Sequence, residues 1–192
     1  MVSSVSFAQY SNHRLYQAYL EQDMTVWQDY IQSTNWDSLQ IEEKKQLLNY
    51  EYGFTAYILE IDKTLAQEMI LRYEEHLLSL ESYLPDARYN AYLASLYTYK
   101  IGVEGHFIAN ASKLFACINQ ASKLDMNDPF VLSMMGNVEF YNPFGSKKKA
   151  LNYFQRADSL YNHSIEEYEQ WNHHFVQMHV QQCMDKLNKR NK

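Results

Sequence analysis

Apolar residues recur at intervals of three and four along most of the chain, a spacing that places them on one face of an α-helix. The segment 62–83 is the clearest example, and its stripe consists of Ala66, Met69, Ile70, Tyr73, Leu77 and Leu80. No segment shows the sustained alternation of apolar and polar residues that a half-buried strand needs. The pattern therefore predicts an all-α fold.

Nine helices follow from this spacing. Short connections between consecutive helices favour antiparallel neighbours. We therefore predict an α-α superhelix of about four antiparallel helix pairs plus a C-terminal capping helix. The predicted segments are 9–21 with 24–33, 39–60 with 62–83, 87–101 with 107–124, a helix that starts at 129 and ends before a break at 142–145 with the helix from 146, and a last helix from 164.

Side chains that can accept hydrogen bonds from a first helical turn stand before several of these segments. Aspartate followed by proline is a strong start signal, because proline suits the first helical position. Serine followed three residues later by glutamate is the pattern of a capping box. The predicted caps are Asp62, Asp86, Asp128 before Pro129, and Ser164 with Glu167, and a further helix is predicted to begin at Ser146.

A repeat is clearest over residues 129–162. Its marked positions are Pro129, Leu132, Met135 and Gly136 in one helix, and Ala150, Phe154 and Ala157 in the next. Steps of four and three in the second helix, with a small residue at Gly136, resemble the tetratricopeptide repeat. The resemblance covers roughly residues 46–162 of the sequence.

The repeat is degenerate toward the N-terminus. Small residues recur at Gly53, Ala94 and Gly136, at spacings longer than the ~34 residues of the tetratricopeptide family. An α-α superhelix of another repeat family is the alternative. In either architecture the final helix would cover the apolar face of the last pair.

Composition narrows the class of function. Proline (3) and glycine (5) are scarce, which suits long helices joined by short loops. The net charge is −6 with both signs mixed along the chain, whereas a nucleic-acid binder usually carries a basic face. No apolar run is long enough to predict an integral membrane segment. Cys117 and Cys183 belong to no metal or redox motif.

The first residues have a feature of exported proteins. Ser6 and Ala8 stand two apart, the small-x-small spacing of a signal-peptidase site. We interpret residues 1–8 as a signal-peptide remnant and residues 9–192 as a single tetratricopeptide-like domain. This interpretation predicts a periplasmic or secreted protein, and an ordinary cytoplasmic N-terminus is the alternative.

Motifs that carry catalysis or metal binding are missing from the sequence. The adjacent His173 and His174 point ~100° apart on a helix and cannot grip one ion. Glu169 and His173 share a face, and an exposed helical pair is the preferred interpretation. We therefore predict no enzyme activity, no cofactor and no metal site.

The resemblance implies a partner-binding surface, because the first helix of each tetratricopeptide pair lines a concave face. The function that it implies is a non-catalytic protein- or peptide-binding scaffold or adaptor, exported and supporting an envelope assembly or transport system. An aromatic groove would bind apolar or aromatic segments. The candidate residues are Tyr50, Phe54, Tyr57, Arg88, Ser95, Tyr99, Asn137 and Tyr141.

A small-ligand-binding protein or an enzyme is the second hypothesis. In that case a pocket would be closed by a hinge at Gly102–Gly105 together with the last helix. An open, wet groove favours the first hypothesis, and an enclosed apolar cavity with a few convergent polar groups favours the second.

Overall fold

The computed structural model describes residues 10–104 and 106–190, and within them it contains nine α-helices and no strand. Neighbouring helices pack in pairs. The predicted all-α class is therefore confirmed. The helices are α1 (Asn12–Glu21), α2 (Thr25–Ser33), α3 (Ile41–Ile58), α4 (Lys63–Ser79), α5 (Asp86–Glu104), α6 (Phe107–Leu124), α7 (Pro129–Tyr141), α8 (Lys147–Tyr161) and α9 (Gln170–Arg190).

The helices belong to two compact units, one ending at Tyr83 and the other beginning at Leu84. The single domain predicted over residues 9–192 stays a prediction. Residues 1–8, which carry the predicted signal-peptide remnant, lie outside the described residues. No helix in the described part of the chain is long and apolar enough to cross a membrane.

The first unit, α1 to α4, is held by buried aromatic side chains. The Trp27 indole is fully buried and donates a hydrogen bond to the carbonyl of Leu15, with a distance of 2.7 Å. The rings of Trp27 and Tyr50 meet edge to face, with centroids 4.9 Å apart. Such pairs add specific geometry to the area that they bury. Tyr50 therefore joins α3 to the core of this unit.

The second unit, α5 to α9, packs α5 on α6, α7 on α8 and α8 on α9. A Cβ atom added at Gly136 would lie only 2.6 Å from the ring of Phe154. The absence of a side chain at Gly136 thus lets α7 approach α8 closely, as the repeat predicts. The buried cluster of this unit consists of Leu132, Phe140, Ala150, Phe154, Ala157, Tyr161, Val176 and Cys183.

Several helix starts follow the sequence signals. Asp62 accepts hydrogen bonds from the amides of Thr64 and Leu65. Asp128 accepts from the first amides of α7, with Pro129 at the first helical position, and Ser146 accepts from the amide of Lys149. These caps are local interactions, which is why the sequence alone identifies them.

The predicted start of the last helix is wrong. The amide of Ser164 donates to the carbonyl of Leu160, so Ser164 closes the end of α8. A 3₁₀ turn follows at Glu167–Glu169, and α9 begins only at Gln170. Glu169 is buried and binds Arg88. A contact distant in sequence thus determines the local backbone here.

Three smaller predictions also need correction. The helix predicted over 62–83 ends at Ser79, and α5 begins at Asp86 itself and continues to Glu104. Gly102 is therefore helical, while Gly105 lies outside the described residues. In α9, Met178 is exposed, and the buried positions are Trp171, Asn172, Val176, His179 and Cys183.

Candidate functional site

The structure places the eight predicted partner-binding residues in different environments. Tyr57 and Tyr141 are exposed. Half of the set is buried, and that half consists of Tyr50, Phe54, Ser95 and Tyr99. The members on α3 belong to the first unit, and those on α5 and α7 belong to the second. Contact between these residues and a partner stays a prediction.

Arg88 lies in a network of charged side chains within the second unit. Its guanidinium makes two hydrogen bonds to Asp128, at 2.9 and 3.1 Å, and a third to Glu169 at 2.8 Å. Asp128 in turn caps α7. Arg88 therefore ties α5 to the start of α7 and to the turn before α9, a role in stability that its sequence position does not reveal.

Asn137 and Tyr141 stand four residues apart on α7 and so share one face of that helix. The carbonyl oxygen of the Asn137 side chain is buried and has no hydrogen-bond partner among the described residues. Its amide group donates a weak hydrogen bond to the sulfur of Met134. An unsatisfied acceptor lies one turn before the exposed phenol of Tyr141.

Tyr141 and His179 form a hydrogen-bonded pair between α7 and α9. The phenolic oxygen of Tyr141 lies 2.8 Å from Nε2 of His179. Nδ1 of the same imidazole lies 2.9 Å from the carbonyl oxygen of Phe175. Tyr141 is 64% exposed, whereas His179 is only 3% exposed. The pair therefore joins a buried imidazole to a tyrosine that is largely exposed.

Aromatic rings surround this imidazole. The ring centroids of Phe175, Phe154 and Phe140 lie 4.0, 5.1 and 5.2 Å from that of His179. Burial in this setting lowers the pKa of His179 below its usual value near 6.5, and Lys186 lowers it further. We call Phe140, Tyr141, Phe154, Phe175 and His179 the aromatic cluster.

Two lysine side chains border the aromatic cluster. The ammonium nitrogens of Lys147 and Lys186 lie 4.8 and 4.2 Å from the ring centroid of Phe140. Lys147 also donates to the main-chain carbonyl of Phe140. Lysine ammonium groups over aromatic faces are attractive. The cluster thus combines apolar rings, one phenol and two positive charges.

The turn between α7 and α8 exposes a further ring beside Tyr141 in sequence. Phe144 is 97% exposed. Its amide donates to the side chain of Asn142, and the amide of Gly145 donates to the main-chain carbonyl of Asn142. A Cβ atom at Gly145 would meet the carbonyl of Glu139 at 2.2 Å. Phe144 is therefore displayed on a tightly bonded turn.

In the described part of the chain, no three histidine, cysteine, aspartate or glutamate residues lie together as a metal site would require. The predicted exposed pair of Glu169 and His173 does not form. Glu169 binds Arg88, and His173 lies 2.8 Å from a carboxylate oxygen of Asp158. The spacing of Glu169 and His173 in the sequence therefore did not identify the ion-pair partner of either residue.

Sequence reasoning selected Tyr141 but missed His179 and both lysines. Tyr141 and His179 are 38 residues apart and on different helices. The available signal was Phe175 and His179 at a spacing of four on α9, which places a polar ring beside an apolar one. That spacing does not reveal which helix faces the imidazole.

No family model matches the chain. No curated protein matches it either. Among solved structures, the chain is similar to the HusA haemophore from Porphyromonas gingivalis, with a TM-score of 0.64 and 14% sequence identity. The match covers 97% of this chain and 96% of the other. The two chains therefore share a helical fold, of the helical-repeat type that the sequence predicted.

Proposed function

We propose that the chain is a non-catalytic binding protein that carries a planar aromatic small molecule with carboxylate groups, an iron porphyrin being the preferred candidate. The observation that carries this proposal is the aromatic cluster with its exposed phenol and its two bordering lysines. The name of the structural neighbour, a haemophore, supports the choice of ligand. The proposal takes only the class of ligand from the small-ligand hypothesis, because the aromatic cluster lies on α7, α8 and α9 and not at the Gly102–Gly105 hinge.

Each part of the cluster matches a part of such a ligand. Aromatic side chains stack against flat apolar rings. Tyr141 is the exposed member of the cluster, and Phe144 is exposed on the adjoining turn. Lysine ammonium groups bind carboxylates through charge-assisted hydrogen bonds. Histidine and tyrosine are both known as axial ligands of haem iron.

The proposal is tested by titrating the full chain with iron(III) protoporphyrin and following its visible absorption. Replacing Lys147 and Lys186 together by glutamine removes both positive charges beside Phe140. We expect the affinity to fall about tenfold. Lys149→Gln is the matched control, because Lys149 is an exposed lysine of the same helix that approaches Glu139 instead.

Two outcomes of this titration would count against the proposal. The first is no saturable binding of the porphyrin by the unmodified chain. The second is an equal loss of affinity in the double variant and in the Lys149→Gln control. An equal loss would mean that overall charge, not the cluster, attracts the ligand.

Protein or peptide binding by an exported scaffold is the second candidate, and the outer face of α6 favours it. Ile108 is 86% exposed, and Phe107 and Phe115 are exposed as well. Helix α6 contains no acidic residue. Exposed apolar patches often mark interaction sites. Ile108→Ser with Phe115→Ser should abolish capture of a protein partner in a cross-linked pull-down while leaving porphyrin affinity unchanged.

Export belongs to the same proposal and rests on the spacing of Ser6 and Ala8. Fractionation of cells that express the chain from its native gene tests it. We expect the mature protein outside the cytoplasm with Gln9 as its first residue. Recovery from the cytoplasm with residues 1–8 intact would contradict export and leave the ligand proposal standing.

A further inference from the structure

The two compact units of the chain carry different charges. Residues 1–83 contain 13 acidic and 5 basic side chains, whereas residues 84–192 contain 10 acidic and 12 basic ones. The net charge of −6 is therefore −8 in the first unit and +2 in the second. Such a difference between the halves of a chain indicates an anionic partner for the more basic half.

Three consecutive lysines, residues 147–149, occupy the first turn of α8. The helix dipole makes the N-terminal turn the less favourable end of a helix for cations. Lys148 and Lys149 are both exposed, and Lys149 lies 3.7 Å from Glu139. Residues that break a local rule of stability in this way are expected at functional sites. These lysines therefore serve a purpose other than the stability of α8.

The last turns of α9 extend this positive surface. The ammonium nitrogens of Lys147 and Lys186 lie 4.8 and 4.2 Å from the centroid of the same Phe140 ring, so the end of α9 borders the start of α8. Lys186 and Lys189 are both exposed. Together with the exposed ring on the turn before α8, these side chains form a surface that we call the basic patch: Phe144, Lys148, Lys149, Lys186 and Lys189.

Two acidic residues stand close to the basic patch in the sequence, and both accept hydrogen bonds from nearby groups. Glu139 accepts from the amide of Ser146 at 2.7 Å, and Asp185 accepts from the side chain of Gln181 at 2.9 Å. Charges separated by more than about 10 Å are largely screened in salt solution. The four lysines of the basic patch therefore outweigh the two carboxylates in the local attraction of an anion.

The turn that carries Phe144 has its backbone amides bonded within the chain. Pro143 has no N–H group, and the amides of Phe144 and Gly145 donate to the side chain and to the main-chain carbonyl of Asn142, each at 2.9 Å. The amide of Ser146 donates to the side chain of Glu139. Unsatisfied amides are what make irregular backbone costly in lipid. This turn can therefore enter the interface of a bilayer at little cost in lost hydrogen bonds.

We propose that the basic patch binds the second unit to the surface of an anionic lipid bilayer, with the Phe144 ring among the headgroups and the lysines on the lipid phosphates. Membrane-surface binding of this kind combines buried apolar area with electrostatic attraction, to which each lysine contributes. The inference goes beyond porphyrin binding and does not depend on it.

The residue types of the basic patch favour a lipid surface over an acidic protein. Interfaces between proteins are enriched in arginine and depleted in lysine. A planar guanidinium suits a carboxylate held in a fixed position, whereas a lysine ammonium on its flexible stem is a point charge without that geometry. Lysine stems also lie along apolar surface while their charged ends stay in water. Four lysines around one exposed phenylalanine match a diffuse anionic surface with an apolar layer beneath it.

The test measures how the full chain, without porphyrin, sediments with lipid vesicles. One set of vesicles contains equal amounts of phosphatidylglycerol and phosphatidylcholine, and the other contains phosphatidylcholine alone. We expect binding to the anionic vesicles to be about tenfold tighter or more, because the lysines meet no net negative charge on the neutral surface. Raising the salt concentration should release the chain from the anionic vesicles.

Two variants test the two parts of the basic patch. Phe144→Ser removes the ring and should weaken binding to anionic vesicles about tenfold. Its matched control is Phe107→Ser, at an exposed phenylalanine of α6. Lys148→Gln with Lys149→Gln removes two charges and should weaken binding about tenfold as well. Its control is Lys63→Gln with Lys123→Gln, at two exposed lysines outside the patch. Both controls should bind like the unmodified chain.

Phe144→Trp shows whether the ring enters the lipid. The added tryptophan should be quenched strongly when the anionic vesicles contain phosphatidylcholine brominated in its acyl chains. The three tryptophans of the unmodified chain should be quenched much less. Equal quenching in the variant and in the unmodified chain would contradict insertion of residue 144.

Several outcomes would overturn this inference. Absence of binding to the anionic vesicles is one, and equal binding to both kinds of vesicle is another. Loss of binding in the lysine variant but not in Phe144→Ser would show attraction by charge alone, as an acidic protein or a nucleic acid would produce. An equal loss in Phe107→Ser would assign the contact to α6. Thermal melts of each variant exclude misfolding as the cause of lost binding.

The proposed function is tested separately from this inference. The lysine variant at positions 148 and 149 should bind iron(III) protoporphyrin like the unmodified chain, because neither lysine borders the Phe140 ring. Failure of vesicle binding therefore leaves the porphyrin proposal standing, and failure of the porphyrin titration leaves this inference standing.

Discussion

Buried charges in this protein have partners that lie far away in the sequence. Glu51 of α3 is fully buried and binds two side chains of α4, Arg72 at 2.8 Å and His76 at 2.9 Å. The His76 ring stacks flat on Trp36, with centroids 3.7 Å apart. Arg72 also donates to the carbonyl of Thr34. One carboxylate thus orders a network within the first unit.

Removing this carboxylate should destabilise the fold. Glu51→Ala leaves Arg72 and His76 without their shared acceptor, and breaking such a buried pair costs about 3 kcal/mol. Urea unfolding near neutral pH measures the difference. Glu42→Ala is the matched control, because Glu42 is an exposed residue that pairs with Lys45 on the surface of the same helix, where such pairs contribute less than about 1 kcal/mol. Equal effects of the two substitutions would contradict the network.

His179 should make stability depend on pH in the acidic range. Burial, the largest influence, holds the pKa of His179 below 6.5 in the folded chain, while the unfolded chain keeps the usual value. Above the unfolded pKa both states are neutral at this residue, and the full stability is present. As the pH falls toward the folded pKa, the unfolded chain binds a proton that the folded chain resists, and stability is lost.

Unfolding titrations at several pH values between neutrality and mild acid measure this effect. His179→Gln should flatten the loss of stability below pH 6.5, because glutamine does not titrate. Carboxylate titrations affect both proteins and cancel in the comparison. The same slope in the variant and the unmodified chain would show that His179 is not kept neutral by its surroundings.

At the scale of helices, local signals predicted where elements lie, and distant contacts decided how some of them begin. The segment predicted over 107–124 coincides with α6. Asp128 caps α7 as expected, because a cap needs only the next few amides. Glu169 shows what local signals do not predict. Its binding to Arg88, 81 residues away, accompanies a 3₁₀ turn where the sequence predicts a capping box.

The candidate site could be predicted from the sequence only in part, because it is formed by contacts between residues that are distant in the sequence. Tyr141 was selected because the tetratricopeptide resemblance places it, with Asn137, on the first helix of a pair. Phe54 fitted the same helical pattern and is buried instead. Periodicity shows which residues share a face of one helix. It does not show which face the rest of the protein covers, and so His179 and the lysines were missed.

Close packing of α7 on α8 predicts that Gly136→Ala destabilises the second unit. The added Cβ would lie 2.6 Å from the ring of Phe154, which is fully buried. The overpacking cost of roughly 1–3 kcal/mol outweighs or cancels the gain of about 1 kcal/mol in helix propensity. Thermal melts measure the change. Gly102→Ala, at an exposed position of α5, should be stabilising or neutral, and the same gain at Gly136 would contradict close packing.

At the scale of the whole molecule, the candidate site differs in charge from the chain that contains it. The chain carries a net charge of −6, whereas Lys147 and Lys186 border the aromatic cluster. The net negative charge of the chain repels an anionic ligand, whereas the two lysines attract it at close range. Salt screens the long-range repulsion more effectively than the short-range attraction. Local contacts and aromatic stacking, rather than long-range steering, should therefore dominate the affinity.

The location of the bound ligand decides whether the aromatic cluster is the binding site. Amide chemical shifts of the full chain are measured with and without gallium(III) protoporphyrin, which is diamagnetic. We expect the largest changes at the end of α7, in the turn at 142–146 and along α9 from Phe175 to Lys186. Changes centred instead on Tyr50, Phe54 and Tyr57 of α3, or on the outer face of α6, would contradict it.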